Sequence, residues 1–229
     1  MSDFNTNPSA EYNIRAVVFD LDGLMLNTED VFDLAGQQLL ERRGMVMTTQ
    51  VRDAMLGRRA HEAFAVMKEM TGVKDDIHAL MMETKELFAA IAENRLAMMP
   101  GLPELLDLIE SRNLPRAVAT SSPRSYMTEL LTRFNLLDRF HFTMTAEDVT
   151  HGKPHPEIYL AVAERLNVAP SEMLVLEDSE TGTRAASAAG AIIVSVPNRH
   201  TAAGDFSMAT LRVESLQDAR LLSLLNGEK

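Results

Sequence analysis

The sequence of 229 residues contains no cysteine. This absence excludes thiol nucleophiles, thiolate metal sites and disulfide bonds, so any bound metal must be held by oxygen and nitrogen atoms. A chain without cysteine is compatible with a reducing compartment, and we expect a cytoplasmic protein.

Positive charge is also scarce, since 22 lysine and arginine residues are outnumbered by 33 aspartate and glutamate residues, which gives a formal net charge of -11. A broad basic surface is therefore not expected, which argues against binding of nucleic acid or of an anionic membrane. A small anion can still bind where a few positive groups are gathered.

Long hydrophobic runs are missing as well. The apolar segments are interrupted within a few residues, so no membrane-spanning helix is predicted. Residues 1–12 are polar and lack the basic and apolar regions of a signal peptide, and we interpret them as a loose tail.

Five short apolar runs predict β-strands. The first, residues 14–19, is β-branched and almost entirely apolar, which is typical of a strand buried on both faces. The others are residues 117–119, 140–144, 173–176 and 191–196, and each follows a helical pattern. This alternation predicts an α/β fold with a Rossmann-like parallel sheet.

Helices are expected at residues 102–112, 124–134, 156–166, 183–189 and 216–225. Between about residues 31 and 98, however, the apolar positions repeat only at helical spacing. We therefore predict an all-helical cap domain, residues 31–98, inserted into an α/β core that is formed by residues 13–30 and 99–229.

Polar residues follow four of the five predicted strands. Ligands of parallel α/β sheets bind beyond the carboxyl ends of the strands, so these residues are candidates for a functional site. In chain order they are Asp20-Leu21-Asp22-Gly23, Thr120-Ser121-Ser122, His151-Gly152-Lys153-Pro154 and Glu177-Asp178.

The acidic residues among them predict a metal site. Asp20 and Asp22 are two residues apart, so their side chains lie on the same side of an extended backbone. Two carboxylates about 5 Å apart repel each other by roughly 3 kcal/mol at an effective dielectric constant of about 20. If Glu177 and Asp178 join them, a hard divalent cation with oxygen ligands, most simply Mg²⁺, offsets the repulsion.

A phosphate site is predicted beside the metal. Thr120 offers a hydroxyl group at a strand end, and Ser121-Ser122-Pro123 has the composition of a helix start, where free backbone N–H groups bind phosphate. Lys153 adds an ammonium group. Phosphoryl transfer requires both metal ligands and phosphate ligands, and the candidate residues supply both.

These residues resemble the four signature motifs of the haloacid dehalogenase-like superfamily, and the resemblance extends from residue 15 to about residue 225. The motifs appear in order as Asp20-Leu21-Asp22-Gly23, Thr120, Lys153 in Gly-Lys-Pro, and Glu177-Asp178. The resemblance implies that Asp20 attacks phosphorus and becomes phosphorylated. It implies that Asp22 protonates the leaving oxygen and then activates water.

The resemblance also implies a division of the remaining roles. Mg²⁺ is expected to be bound by the Asp20 carboxylate, the Asp22 backbone carbonyl and Asp178, with Glu177 bound directly or through water. Thr120, Ser121 and Lys153 are expected to bind the transferring phosphoryl group. Halide-displacing members of the superfamily lack the second aspartate, which favours phosphate chemistry over dehalogenation.

The helical insertion resembles the small cap of the subgroup that contains β-phosphoglucomutases and phosphatases of sugar phosphates and nucleotides. Residues 23–29, 57–60 and 151–154 are most similar to pseudouridine-5'-phosphatase-type proteins. Arg58 and Arg59, in the cap, are either substrate ligands or surface residues, with about equal weight. Asn27 departs from the subgroup, which usually has aspartate at this position.

The leading hypothesis is a Mg²⁺-dependent phosphatase that hydrolyses a small phosphorylated metabolite, either a sugar phosphate or a nucleotide-like compound such as pseudouridine 5'-phosphate. The alternative is a phosphomutase of the β-phosphoglucomutase type. Phe32 disfavours the alternative, because it occupies the position where these mutases carry a functional histidine. A non-catalytic binding module is disfavoured by the complete set of acid, hydroxyl and lysine groups.

Overall fold

The computed structural model describes residues 12–55 and 60–226. Of these residues, 12–26 and 98–226 form one compact unit, and those between 27 and 97 form a second. The predicted cap residues Arg58 and Arg59 lie outside the described residues, as does the predicted tail apart from Tyr12. The division into core and cap at residues 31 and 98 stays a prediction.

The larger unit contains a six-stranded sheet in which all neighbouring strands are parallel, in the order β3-β2-β1-β4-β5-β6. The predicted α/β fold with a parallel sheet is thereby confirmed. All five predicted strands are present, and a sixth of two residues was not predicted. The strands are β1 Ala16–Phe19, β2 Arg116–Ala119, β3 Phe142–Met144, β4 Met173–Glu177, β5 Ile192–Ser195 and β6 Leu211–Arg212.

Strand β1 lies in the middle of the sheet. It pairs with β2 on one side and with β4 on the other, and all four of its residues are fully buried. An uninterrupted apolar run suits a strand that is covered on both faces, because neither face meets water. The carboxyl end of β1 therefore places Asp20 at the centre of one edge of the sheet.

The described residues of the second unit form helices and the loops that connect them, and the unit is inserted between β1 and β2, as predicted. Asn27 precedes its first helix, and its side chain accepts a hydrogen bond from the Ala97 N–H (2.7 Å) and donates one to the Arg95 carbonyl (3.1 Å). The residue that departs from the subgroup thus joins the two ends of this unit. The helices are α1 Thr28–Glu41, α2 Thr49–Met55, α3 Ala60–Thr71 and α4 Ile77–Arg95.

Five further helices belong to the larger unit: α5 Leu102–Ser111, α6 Arg124–Arg133, α7 Glu157–Leu166, α8 Glu180–Ala189 and α9 Ala219–Asn226. Single 3₁₀ turns lie at Leu137–Arg139, Ala146–Asp148 and Pro170–Glu172. Helix α8 begins three residues earlier than predicted, because the Ser179 side chain caps it by accepting a hydrogen bond from the Gly182 N–H. No helix among the described residues is long and apolar enough to span a membrane.

One face of the sheet is covered by α7 and α8. Tyr159 and Val162 of α7, and Ala185 of α8, pack in one buried cluster with Val18 of β1 and Val175 of β4. The small alanine side chains of α8 let this helix approach the strands closely. The packing fixes the ends of β1 and β4, where the candidate site residues begin.

Candidate active site

Asp20, Lys153 and Glu177 form a buried ion cluster at the carboxyl ends of β1 and β4. The Lys153 ammonium nitrogen lies 2.6 Å from Asp20 Oδ1 and 2.6 Å from Glu177 Oε1, and it donates a third hydrogen bond to the Ala119 carbonyl at 3.0 Å. The Lys153 and Glu177 side chains are 5% and 0% exposed, so water does not screen these contacts. All three donors of the ammonium group are used, so an anion that binds Lys153 has to replace one of these three acceptors.

Glu177 is held by three further groups that the sequence did not reveal. The Tyr159 hydroxyl donates to Glu177 Oε1 at 2.5 Å, and the Ser179 hydroxyl donates to Oε2 at 3.1 Å. Gly182 leaves the space for this carboxylate, because a Cβ atom at that position would lie 1.9 Å from Glu177 Cδ. The side chain of Glu177 therefore has one orientation available.

A group of three buried carboxylates could hold a metal ion. One oxygen from each of Asp20, Glu177 and Asp178 lies within 4.8 Å of the others. The Asn198 amide also donates a hydrogen bond to Asp178 Oδ2 at 2.9 Å. If all three carboxylates are ionised, Lys153 balances one of three negative charges, and a divalent cation would balance the rest. Oxygen donors of this kind suit Mg²⁺.

The ionisation of the cluster is strongly perturbed. Burial raises the pKa of Asp20 to about 8, assisted by the neighbouring charges of Glu177 and Asp22 and opposed by Lys153. Burial disfavours the charged form of Lys153, but the negative charges of Asp20 and Glu177 outweigh it and raise the pKa of the ammonium group. In the absence of a bound metal ion, the raised pKa of Asp20 favours its protonated form even beside Lys153.

Asp22 has different surroundings from Asp20. Its Oδ2 atom accepts hydrogen bonds from the Ser122 hydroxyl at 2.6 Å and the Thr120 hydroxyl at 3.4 Å, while its Oδ1 atom accepts one from the Tyr126 hydroxyl at 3.1 Å. Asp22 is only partly buried. Hydroxyl donors at both oxygens orient the carboxylate without neutralising it, which suits a group that exchanges protons.

The start of α6 differs in detail from the predicted phosphate site. Ser121 is exposed, and the Ser122 N–H donates to the Thr120 hydroxyl at 3.0 Å. The Arg124 N–H donates to Glu147 Oε2 at 2.9 Å. Two of the backbone donors near this helix start therefore have partners within the protein, which leaves the side chains of Thr120 and Lys153 as the principal candidate ligands for an anion.

The structure brings together the side chains of Asp20, Asp22, Thr120, Lys153, Glu177 and Asp178, and the exposed Ser121 directly follows Thr120. Arg58 and Arg59 lie outside the described residues. Sequence reasoning missed Tyr126, Tyr159, Ser179, Gly182 and Asn198. Asn198 could have been found, since it follows the fifth predicted strand at the same edge of the sheet. The tyrosines lie on helices and carry no comparable signal.

Comparison with known proteins identifies the family of this chain. The model of the haloacid dehalogenase-like hydrolase family matches residues 17–196. The chain is 33% identical over 177 residues to a phosphorylated carbohydrates phosphatase of Thermotoga maritima, with 77% of this chain and 82% of the relative covered. It is 32% identical over 182 residues to a fructose-1-phosphate phosphatase of Escherichia coli, with 79% and 95% covered.

A solved structure has a similar fold over most of the chain. CbbY from Rhodobacter sphaeroides, crystallised in complex with phosphate, superposes with a TM-score of 0.78 at 26% identity and covers 93% of this chain and 99% of its own. Other similar proteins include β-phosphoglucomutase-type and pseudouridine-5'-phosphatase-type proteins, which confirms the predicted subgroup.

The chain therefore belongs to the haloacid dehalogenase-like hydrolase family. Within that family it is a phosphatase, an enzyme that hydrolyses phosphoric monoesters.

Proposed function

We propose that this phosphatase hydrolyses a small phosphorylated metabolite, with a sugar phosphate as the first candidate, and that the reaction requires Mg²⁺ and proceeds through phosphorylated Asp20. The observation that carries the proposal is the cluster at the end of the central strand. There, the Lys153 ammonium group contacts Asp20 at 2.6 Å, and Glu177 and Asp178 complete a buried acidic group.

The carboxylates of Asp20, Glu177 and Asp178, with the Asp22 backbone carbonyl, would hold Mg²⁺. When bound, the ion offsets the negative charge of these groups and polarises the phosphoryl oxygens. It also favours the ionised form of Asp20, which is the form that can act as a nucleophile.

In the first step, an Asp20 carboxylate oxygen attacks phosphorus while the ester P–O bond breaks. Asp22, in its protonated form, gives its proton to the departing oxygen, which leaves as an alcohol. In the second step, the Asp22 carboxylate takes a proton from water as the water oxygen attacks phosphorus. The bond to Asp20 then breaks, which releases inorganic phosphate and restores both aspartates.

Lys153 and Thr120 bind the phosphoryl oxygens during both steps. Lys153 is already held at the edge of the sheet by Asp20, Glu177 and the Ala119 carbonyl, so little conformational entropy is lost when the phosphoryl group arrives. Thr120 is buried and its hydroxyl is shared between Asp22 and the Ser122 N–H. A phosphoryl oxygen would compete for the same hydroxyl.

The substrate class rests on the relatives. The Thermotoga maritima and Escherichia coli proteins are described as phosphatases of phosphorylated carbohydrates and of fructose 1-phosphate. The motifs shared with pseudouridine-5'-phosphatase-type proteins keep pseudouridine 5'-phosphate as a second candidate. We propose that Arg58 and Arg59 help to select among these compounds.

The test is a phosphate-release screen with Mg²⁺ over sugar phosphates, mononucleotides, pseudouridine 5'-phosphate and phosphoglycolate. We expect stoichiometric release of inorganic phosphate from at least one sugar phosphate, and loss of that release when a chelator is present in excess over Mg²⁺. An Asp20→Asn variant purified in the same way controls for contaminating phosphatases. Full activity in excess chelator would contradict the metal requirement.

The second candidate is a phosphomutase, favoured by the fold shared with β-phosphoglucomutase structures such as that from Clostridium difficile. A mutase returns the phosphoryl group to a sugar, so it needs an activating bisphosphate and releases little phosphate. Phe32 is 44% exposed, and its ring packs against Phe88 with 4.3 Å between the centroids. A phenyl side chain has no group that can transfer a proton, which disfavours the mutase. Measuring both sugar isomers and phosphate in one reaction distinguishes the two activities.

A further inference from the structure

A second cluster of side chains that could hold a metal ion lies outside the acidic cluster, on the loop that carries Lys153 and the first turn of α7. His151 Nδ1 is 2.8 Å from Glu157 Oε2, and His155 Nδ1 is 3.8 Å from the same oxygen. The two imidazole rings are 4.6 Å apart between centroids. The histidine side chains are 63% and 51% exposed, so an ion can reach them from solvent.

Two backbone N–H groups of the preceding loop hold the Glu157 carboxylate in place. Its Oε1 accepts the Thr150 N–H at 2.7 Å, and its Oε2 accepts the His151 N–H at 2.9 Å. These backbone hydrogen bonds, first that from Thr150, and the contact with the His151 ring lower the pKa of Glu157 to about 2. The Glu157 carboxylate is therefore ionised and oriented before any metal ion binds. Metal ligands in proteins are commonly oriented in this way by hydrogen bonds with neighbouring groups.

The spacing of the three ligands fits a small tetrahedral ion. With metal–ligand bonds of about 2.0–2.1 Å, two ligands of a tetrahedral zinc site lie about 3.4 Å apart. The observed separations of 2.8 and 3.8 Å from Glu157 Oε2 lie on either side of this value. Both imidazole rings are exposed, and His155 Nδ1 would give up the hydrogen bond that it accepts from the Glu157 N–H at 3.3 Å when it binds an ion.

We propose that His151, His155 and Glu157 form a binding site for a transition-metal ion of the Zn²⁺ class, separate from the carboxylate site of Asp20. Two imidazole nitrogens and one carboxylate are the ligands that such ions prefer, whereas Mg²⁺ and Ca²⁺ prefer oxygen. The fourth position is open to water. Binding displaces the proton that His151 Nδ1 shares with Glu157, and that proton goes to solvent.

The bound ion would bridge residues on both sides of Lys153. His151 precedes Lys153 by two residues, whereas His155 and Glu157 follow it, so one ion would fasten both ends of this segment to α7. The acidic cluster and the proposed site are thus joined by the segment that contains Lys153, although their ligands differ.

The first test observes the imidazole groups directly. Tag-free protein with ¹⁵N-labelled histidine is saturated with Mg²⁺ and then given one equivalent of Zn²⁺, while the nitrogen signals of its six histidines are recorded by NMR. We expect the ring nitrogen signals of two histidines to shift. The spectra of His151→Gln and His155→Gln, each of which lacks the signals of one histidine, should identify these two as His151 and His155. Unmoved ring signals in the unmodified protein overturn the proposal, whatever the variants do.

The second test measures affinity by titration calorimetry with Zn²⁺ in the presence of excess Mg²⁺, which keeps the carboxylate site occupied. We expect His155→Gln to weaken Zn²⁺ binding at least tenfold. His78→Gln, which removes an exposed histidine at the start of α4, should leave it within twofold. Equal affinity in the unmodified protein and His155→Gln would place the bound Zn²⁺ elsewhere and overturn the proposal.

Discussion

Asp20 and Asp22 are separated by one residue but differ in what surrounds them. Asp20 is 7% exposed and is paired with Lys153, whereas Asp22 is only partly buried and accepts hydrogen bonds from three hydroxyl groups. A nucleophile needs a fixed oxygen next to a positive charge, and a proton carrier needs access to solvent. The two carboxyl groups therefore suit different tasks.

Substitution should separate these tasks. Asp20→Asn should abolish both turnover and acid-trapped phosphoenzyme, because the amide cannot form the acyl phosphate. Asp22→Asn should slow turnover by roughly 10²–10⁴-fold, as is usual when a general acid–base is lost. Asp138→Asn, in an exposed turn, is the control and should stay within twofold. An Asp20→Asn enzyme within tenfold of the unmodified activity would refute the nucleophile assignment.

The hydroxyl of Tyr159 contributes to stability as well as to the site. It donates to Glu177 Oε1 at 2.5 Å, and both side chains are fully buried. Tyr159→Phe should lower the free energy of unfolding by about 1.5–3 kcal/mol, because a hydrogen bond to a buried charge is lost. Urea unfolding measures the change, with Tyr12→Phe, at 39% exposure, as a control expected within about 0.5 kcal/mol. Similar losses in both variants would contradict this account.

At the scale of elements, the start of α8 determines where Glu177 can point. An alanine Cβ at Gly182 would lie 1.9 Å from Glu177 Cδ, so the buried carboxylate would have to shift and weaken its hydrogen bonds with Lys153, Tyr159 and Ser179. Gly182→Ala should therefore destabilise the fold by about 1–3 kcal/mol or more. It should also weaken Mg²⁺ binding at least tenfold, measured by calorimetry, because a metal ligand is displaced.

The matched control is Gly152→Ala. A Cβ atom at Gly152 would meet no heavy atom within 4 Å, and the backbone there is not left-handed, so both stability and Mg²⁺ affinity should be nearly unchanged. If Gly182→Ala behaved like this control, the close approach of α8 to Glu177 would not be what orients the carboxylate.

Elements differ in how far the sequence predicts them. The buried strands could be predicted from their apolar runs. The residues that follow β1, β2 and β4 could be recognised by their charged or hydroxyl groups, so most of the ionic site could be predicted. The supporting contacts could not, because Tyr126 and Tyr159 lie on helices whose rotation about their axes depends on packing. Strand β6 was not predicted because its two half-buried residues are too few to show the alternation of apolar and polar side chains that indicates a strand.

For the whole molecule, a metal bound by three buried carboxylates should be visible in its stability. Ligands that bind only the folded state stabilise it by about 2.7 kcal/mol at one hundred times their dissociation constant. Mg²⁺ should therefore raise the melting temperature above that in chelator at equal ionic strength, as measured by scanning calorimetry. The increase should be largely lost in Asp178→Asn, and an equal increase in both proteins would contradict the site.

The increase in melting temperature on Mg²⁺ binding should depend on pH. Because the Asp20 pKa is raised to about 8, the metal-free folded state holds a proton that the unfolded chain gives up above about pH 4, so metal-free stability falls as pH rises towards 8. Mg²⁺ competes with that proton and should stabilise the protein more at pH 8 than at pH 6. A larger effect at pH 6 would contradict competition between Mg²⁺ and a proton on Asp20.

The register of the central strand also affects how the newly made chain folds. Ala16 of β1 pairs with Met173 of β4, 157 residues later in the sequence. At roughly 5–20 residues per second, the ribosome needs on the order of 10–30 s to supply that partner. Until then β1 is an apolar strand with an unpaired edge, which is a template for aggregation. We therefore expect the strand that precedes Asp20 to be prone to pairing with another chain while the protein is being synthesised.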